Sequence, residues 1–220
     1  MKKYTLFIFA FIINTISAQY ITLSKAEKTN DNKDKFLYKI NPSNTPAEYL
    51  GEIEVQGFSQ NDAEVFSQIY KKAKTIGANS FSIKQTENLD GLYAFNPDHY
   101  YINLYYAPVI PKRENTVYIL TSSSRPQKIK FNNQTIKLQP RTFLKQQLQD
   151  KVSISTGKLL GSKIILSPKK NQLEQYFQII PTGVRADHLG QGGLNLKSGD
   201  IILLEKSYAQ FLTSIYKEHK

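Results

Sequence analysis

The fold of the N-terminal half is decided between residues 51 and 83, which read GEIEVQGFSQNDAEVFSQIYKKAKTIGANSFSI. Apolar and polar residues first alternate, the period-two pattern of a strand with one buried face. Apolar residues then recur at helical spacing over 66–76, after a helix N-cap at Ser59 or Asn61. Gly77 ends the predicted helix, because glycine adopts the left-handed conformation of a helix C-terminus without steric cost.

Two further strands complete this unit. One follows the helix through Phe81 and Ile83, and after a loop the alternation returns over 100–106. The order strand, helix, strand, strand predicts a small βαββ unit, and we assign residues 47–107 to this α/β domain. The Pro-containing segment 108–115 is predicted to be a stiff linker, because each proline fixes its φ and lacks an amide donor.

Beyond the linker the pattern changes to short apolar or alternating runs at intervals of about 8–12 residues, which is typical of an antiparallel sandwich. The runs are 117–120, 129–131, 135–138, 142–144, 152–154, 164–166 and 176–180. The glycine-rich segment 181–199 is predicted to be loop, followed by one more strand and an amphipathic C-terminal helix. The expected fold class is α+β, with the βαββ unit followed by a mainly antiparallel β-sandwich-like domain over 116–220.

The N-terminus carries the three parts of an export signal. Lys2 and Lys3 provide the positive end, residues 6–13 are apolar, and small residues precede a cleavage site after Ala18. The apolar run is shorter than the ~20 residues that cross a bilayer. We therefore expect residues 1–18 to be a signal peptide, and the mature chain to be periplasmic or extracellular without an integral membrane segment. The polar segment that follows, within 19–46, is predicted to be flexible.

The composition excludes several classes of function. The chain has no cysteine, which rules out disulfides, a thiolate nucleophile, cysteine-ligated metals and a lipidated cysteine. Lys and Arg number 29 against 18 Asp and Glu, for a formal net charge of +11. Because the lysines are scattered along the chain, we favour a solvated basic surface, expect no nucleic-acid partner, and keep a basic polyanion-binding module as an alternative.

Few residues suggest catalysis. Glu52 and Glu54 share one strand face, as the carboxylate pair of a polysaccharide hydrolase could, but alternation alone also places them on the solvated side of a sheet. The Asp-His pairs at 98–99 and 187–188 could share a metal ion only if their loops meet. We therefore expect no catalytic residue, no metal and no cofactor, and lean against enzymatic function.

Tyrosines form the best candidate binding feature. Tyr93, Tyr101 and Tyr105 are crowded into one hairpin-sized segment, and Tyr101 and Tyr105 share a strand face. Exposed tyrosines offer large rigid contact area with a polar tip, which suits a glycan or protein partner. The alternative, which we favour slightly, is an aromatic strand packed between two layers, because large aromatic residues are frequently buried.

Two parts of the chain resemble known families. Residues 47–55 and 72–79 resemble the βαβ unit of the YbjQ-like family and of the envelope stress-sensor lipoprotein of the Rcs system, without the cysteines of that sensor. Residues 116–180 resemble a β-sandwich domain of unknown function from exported bacterial proteins. There, 138–143 matches a Leu-x-Pro-Gly-x-aromatic stretch, with Arg141 in place of the glycine. These resemblances imply fold, and they imply no specific activity.

Together these observations predict an exported cell-envelope accessory or binding protein that is non-enzymatic and acts through protein or glycan contacts. The alternatives are an envelope polysaccharide hydrolase and a basic polyanion-binding module. The sequence leaves the oligomeric state open.

Overall fold

The computed structural model describes residues 19–84, 95–157, 161–180, 183–186, 194–197 and 201–219. Over these residues the chain is a mixed α+β protein, made mostly of strands in several sheets, with two helices of which one is C-terminal. The predicted signal peptide, residues 1–18, lies outside the described residues. Neither described helix has the length and apolar character needed to cross a lipid bilayer.

The first sheet holds the N-terminal strands. They are β1 (Tyr20–Ala26), β2 (Tyr38–Lys39), β3 (Glu48–Gln56), β4 (Ser80–Lys84) and β5 (His99–Tyr106). The strand order is β1-β3-β5-β4-β2, with β2 and β4 parallel and the other neighbours antiparallel. Helix α1 (Asp62–Thr75) connects β3 to β4, so the chain follows the predicted order of strand, helix, strand, strand.

Helix α1 forms where predicted because both its start and its apolar face are encoded locally. Asn61 is the N-cap, and its side-chain oxygen accepts a hydrogen bond from the Glu64 backbone N–H at 3.3 Å. Acidic residues occupy the first turn and lysines the last, which complements the helix dipole. The buried apolar residues of the helix are Val65, Ile69 and Ala73.

The structure corrects the prediction that 19–46 is flexible. This segment supplies the edge strand β1, which pairs with β3, and the strand β2. The Asn30 backbone N–H donates to the Ile76 carbonyl at 3.0 Å, and Leu37 is fully buried. A Cβ on Gly77, whose φ is 74°, would lie 1.7 Å from the Asn30 carbonyl oxygen, so this approach requires glycine. The segment looked flexible because an edge strand is held by backbone hydrogen bonds while its polar side chains face water.

The C-terminal half forms two larger sheets, a hairpin and helix α2 (Lys206–Ile215). Its strands are β6 (Thr116–Leu120), β7 (Gln127–Phe131), β8 (Gln134–Leu138), β9 (Thr142–Gln147), β10 (Val152–Ser155), β11 (Lys163–Leu166), β12 (Gln175–Ile179), β13 (Gly183–Ala186), β14 (Leu194–Lys197), β15 (Ile201–Leu203) and β16 (Lys217–Glu218). The second sheet has the order β11-β10-β7-β8, and the third has the order β15-β12-β6-β9-β16. Most neighbours are antiparallel, whereas β6 with β12 and β9 with β16 are parallel.

The hairpin turn at 132–133 forms from two asparagines, and the predicted loop at 181–199 contains strands. Asn132 and Asn133 connect β7 to β8 with φ of 46° and 68°, as expected for a tight hairpin turn that needs positive φ. The prediction of loop throughout 181–199 is wrong, because β13 and β14 pair as antiparallel strands within it. Each of these strands is only four residues long, which is too short for an alternation pattern to outweigh the surrounding glycines.

Strand β6 is buried along its whole length because its two faces contribute to two different cores. Val117 and Ile119 pack with residues of the second sheet. Tyr118 and Leu120 belong to a core that also contains residues of the first sheet and both helices. The third sheet therefore has a packed core on each side, and the two halves of the chain share one of these cores.

Helix α2 completes the hydrogen bonding of the edge at β2. The backbone N–H of Leu37 donates to Ser207 Oγ at 3.0 Å, and that of Lys39 donates to Gln210 Oε1 at 2.8 Å. Helix side chains thus accept the bonds that a neighbouring strand would otherwise accept, which leaves these buried backbone donors paired.

The start of the linker is fixed by one buried amide. Asn79 Oδ1 accepts from the Ala107 backbone N–H at 2.8 Å, and Asn79 Nδ2 donates to the Ala107 carbonyl at 2.9 Å. Beyond this point the linker is largely exposed, with Val109 73% accessible to solvent. The domain boundaries around this linker stay a prediction.

An ion pair joins the start of α1 to the third sheet. Arg141 Nη2 donates to Asp62 Oδ1 at 2.8 Å and to the Ser59 carbonyl at 2.7 Å, and Tyr216 OH donates to Asp62 Oδ2 at 2.7 Å. Burial raises the pKa of Asp62, although both donors favour its charged form. Arg141 has a φ of 54°, a left-handed backbone conformation that glycine adopts more readily than other residues.

Candidate functional site

The outer face of the first sheet is formed by Glu52, Glu54 and Gln56 on β3, Lys84 on β4, and His99, Tyr101, Asn103 and Tyr105 on β5. The strand register places Tyr101 directly between Glu54 and Lys84. Side chains alternate between the two faces of a strand, so these residues point away from the core that holds their chain neighbours. The sheet thereby gathers charged and aromatic side chains that are about 50 residues apart in sequence.

Glu54 lies at the centre of a hydrogen-bond network on the outer face. Its Oε1 accepts from Gln56 Nε2 at 2.7 Å and from Tyr101 OH at 2.9 Å, and it lies 2.7 Å from His99 Nε2. Because a carboxylate only accepts, the His99 proton belongs on Nε2 in this contact. The bonds from Gln56, His99 and Tyr101 lower the pKa of Glu54, so this carboxylate stays charged.

Glu52 is the more enclosed of the two carboxylates. Its side chain is 5% exposed and forms an ion pair with Lys84 Nζ at 2.8 Å. Ser24 Oγ on the neighbouring strand lies within hydrogen-bond distance of the Glu52 carboxylate, at 3.3 Å. Lys84 Nζ also lies 5.1 Å from the centre of the Tyr101 ring, as in a cation–π contact. Lys84 thus connects the carboxylate to the aromatic ring.

The tyrosines predicted to bind a partner have different environments. Tyr101 is half-buried, and its hydroxyl group is held by Glu54. Tyr105 is only 8% exposed and packs edge-on against Tyr49, with ring centres 5.7 Å apart. Tyr93 lies outside the described residues. Of this set, Tyr101 is therefore the one for which the structure shows substantial exposure on the outer face.

Of the two Asp-His pairs considered for metal binding, only 98–99 lies among the residues that the structure describes. His99 is engaged with Glu54, while 187–188 lies outside the described residues. Among the described side chains, no group of three or more His, Cys, Asp or Glu could hold a metal ion.

The sequence interpretation missed Lys84 and His99 as neighbours of Glu54 and Tyr101 on the outer face. Each lies at the end of its strand, where strand limits are least certain from sequence. Pairing β3 with β5 in register would have revealed His99, because it lies opposite Gln56. Lys84 could be placed only after β4 was known to pair with β5.

Comparison of the chain with protein-family models, with curated proteins and with solved structures finds no match. The resemblances to the YbjQ-like unit and to the exported sandwich domain therefore stay predictions from short motifs.

Proposed function

We propose that this chain is an exported cell-envelope binding protein that acts without catalysis, through contacts of its outer face with a protein or glycan. The observation that carries this proposal is the network around Glu54, which fixes Tyr101, His99 and Gln56 on a rigid sheet. Groups that are already ordered before binding lose little conformational entropy when a partner arrives. Tyr101 is the central contact residue of the proposed surface.

The chemistry of this surface suits a polar partner. Tyr101 offers part of a rigid ring, while the carboxylate, imidazole, amide and ammonium groups around it can donate or accept hydrogen bonds. Lys84 Nζ lies 5.1 Å from the centre of the Tyr101 ring, and the centre of the His99 ring lies at the same distance. These contacts stabilise one orientation of the ring, as expected of a contact residue at the centre of an interface.

The hydrolase alternative requires a carboxyl group that is protonated at neutral pH to act as general acid. The pKa of Glu54 is shifted in the opposite direction, downward, by its three donors. Glu52 is paired with Lys84. Glu54 thus has the environment of an anion that is held in place, and Glu52 is engaged in an ion pair, which favours binding over hydrolysis.

Export is part of the proposal and rests on the sequence of residues 1–18, with its basic end, apolar run and small residues before the cleavage site. A location in the periplasm or outside the cell gives an exposed polar surface access to envelope proteins and glycans.

We also propose that the second and third sheets pack face to face as a β-sandwich. The support is a single apolar cluster with members on β6, β7, β10 and β12, including Ile119, Ile129, Ile154 and Phe177. Sandwich cores are built in this way from the inward-facing residues of two sheets.

The function is tested by measuring how purified protein binds cell-envelope fractions of the producing cells. Tyr101→Ala should weaken binding roughly ten-fold, or ~1.4 kcal/mol, as expected for an interface anchor. Phe36→Ala is the matched control, because Phe36 is also an exposed aromatic residue, with 43% of its surface accessible. It lies beside α1, where its carbonyl accepts a hydrogen bond from Lys74 Nζ. Equal binding by wild type and Tyr101→Ala would exclude this surface. Turnover of envelope polysaccharide that is lost in Glu52→Gln would support the hydrolase instead.

A further inference from the structure

A cleft with a volume of about 340 Å³ lies where the first and third sheets meet helix α2. Its walls come from residues 39–45, from Pro111 and Arg113 of the linker, from the third sheet and from α2. We call it the junction cleft. Its volume falls within the range of about 300–1,000 Å³ that is usual for small-molecule sites. None of the residues that define the outer face lines it.

Three cations line the junction cleft, each from a different segment. They are Lys39 of β2, Arg113 of the linker and Lys145 of β9. Lys39 Nζ donates to the Thr213 carbonyl at 3.0 Å, and Arg113 Nη1 donates to Tyr118 OH at 2.9 Å. In the described ranges none of the three cations forms an ion pair with a carboxylate.

The cations affect one another. The pKa of Lys39 is lowered to about 8, first by burial of its ammonium group and then by Arg113, with a smaller contribution from Lys145 and an opposing one from Glu218. Although Lys39 as a whole is an exposed residue, burial of its ammonium group and the neighbouring cations both lower its pKa. An anion placed among these groups would relieve the repulsion.

The two carboxylates of the junction cleft do not balance this charge. The Glu174 side chain is 4% exposed, and its Oε1 accepts from Gln210 Nε2 at 2.8 Å and lies 3.2 Å from Lys206 Nζ. Glu174 is thus occupied by partners of its own on α2. Glu218, on the exposed strand β16, is the second carboxylate, so the lining holds two carboxylates and three cations. The lining therefore keeps an excess of positive charge.

The remaining lining includes aromatic rings and side-chain amides. Tyr118 stacks on Tyr176 with ring centres 4.7 Å apart and planes 13° apart, and Phe143 lies beside them. Asn41 and Asn44 add side-chain amides. Small-molecule sites are usually lined mostly by apolar side chains. A site with this many charged and amide groups fits a ligand that carries hydroxyl groups as well as negative charge.

We propose that the junction cleft binds an acidic sugar, whose carboxylate or phosphate group is held by Lys39, Arg113 and Lys145. The sugar hydroxyl groups bond to the amides of Asn41 and Asn44. Guanidinium and ammonium groups both bind carboxylate and phosphate oxygens, so the anionic group of a uronic acid or of a sugar phosphate satisfies the same three cations. The junction cleft is separate from the outer face, so it can bind an acidic sugar whether or not the outer face has bound its partner.

The test is a titration of the isotope-labelled full chain with glucuronate, glucose 6-phosphate and glucose at low ionic strength, followed by NMR. We expect saturable shifts for at least one of the two anions at residues of the junction cleft, and none for glucose. Comparing the two anions identifies whether carboxylate or phosphate is the preferred group. Added salt should weaken the binding, because it screens the cations.

A charge-matched pair of variants completes the experiment. The double variant Arg113→Gln, Lys145→Gln should bind the anion about ten-fold more weakly or less tightly still, because two charged hydrogen-bond donors are lost. Lys128→Gln with Lys137→Gln removes the same charge from paired, exposed positions on β7 and β8 and should leave affinity unchanged. Equal weakening by both pairs, equal binding of glucose, or no saturable binding of any probe at millimolar concentration would overturn the proposal. All four substituted residues are exposed, and the spectra themselves report whether each variant is folded.

Discussion

At the scale of single residues, Glu54 determines how the outer face is organised. One of its oxygen atoms is the acceptor for an amide, a phenol and an imidazole, from three side chains on two strands. Each donor favours the charged carboxylate, and the resulting low pKa is a stability effect as well as a geometric one. The stabilisation is present above the pKa of Glu in the unfolded chain and is lost as pH falls through the lower pKa of the folded chain.

Removal of one donor should therefore raise this pKa. We expect Tyr101→Phe to shift the pKa of Glu54 upward, because the phenol hydroxyl group at 2.9 Å is lost while the ring remains. The measurement is an NMR titration of the side-chain carboxyl carbons. Tyr70→Phe is the control, because it removes a phenol hydroxyl group on α1 that donates to the Lys35 carbonyl and not to Glu54. An unchanged Glu54 pKa in Tyr101→Phe would show that the hydroxyl group does not interact with the carboxylate in solution.

Lys39 destabilises the folded chain at neutral pH, because folding lowers the pKa of its ammonium group to about 8. Between that value and the higher pKa of an unfolded lysine, the unfolded chain binds more protons, so stability should rise with pH in this window. Lys39→Met should remove this rise. At neutral pH it should raise Tm by about 2–4 °C, or about 1 kcal/mol after allowance for solvent screening of an exposed residue.

Thermal unfolding of Lys39→Met, Lys128→Met and wild type at pH 7 and above pH 8 measures this effect. Lys128 is exposed on β7 of the second sheet, so its replacement should leave Tm and its pH dependence unchanged. A lower Tm for Lys39→Met than for wild type would mean that the bond to the Thr213 carbonyl outweighs the cost of burial.

At the scale of elements, the sequence predicts the helices and strands in which apolar residues recur at regular spacing. Helix α1 and strands β3 and β5 each bury one face, so apolar spacing identified them. Strands β1 and β2 could not be found in this way. β1 lies at a sheet edge with polar side chains, and β2 has only two residues and depends on acceptors from α2, about 170 positions away.

The contribution to stability of the contact between the end of α2 and the start of α1 can also be measured. Tyr216→Phe removes the hydroxyl group that donates to buried Asp62 at 2.7 Å. A hydrogen bond to a charged group contributes about 1.5–3 kcal/mol, so we expect a loss of about 2 kcal/mol and a Tm about 4–8 °C lower. Denaturant and thermal unfolding, with Tyr20→Phe as control, measure it. A Tm equal to that of wild type would indicate that the Asp62 contact adds no stability.

At the scale of the whole molecule, the two predicted halves meet in one shared core, and both candidate sites depend on long-range pairing. The outer face needs the register of β3, β4 and β5. The junction cleft needs Lys39, Arg113 and Lys145, which are separated by more than 30 positions each and looked like scattered surface charge in the sequence. Spacing could predict Tyr101 as a candidate, but only tertiary structure shows which charges surround it.

Contact between the outer face and an envelope partner can be detected by photo-cross-linking in intact cells. A photoreactive benzoylphenylalanine replaces Asn103, which lies between Glu52 and Ser82 on the outer face, or Lys137, which is exposed on β8. We expect a reproducible covalent adduct with an envelope protein or glycan from position 103 and none from position 137. No adduct from position 103, or equal adducts from both positions, would contradict the proposed contact.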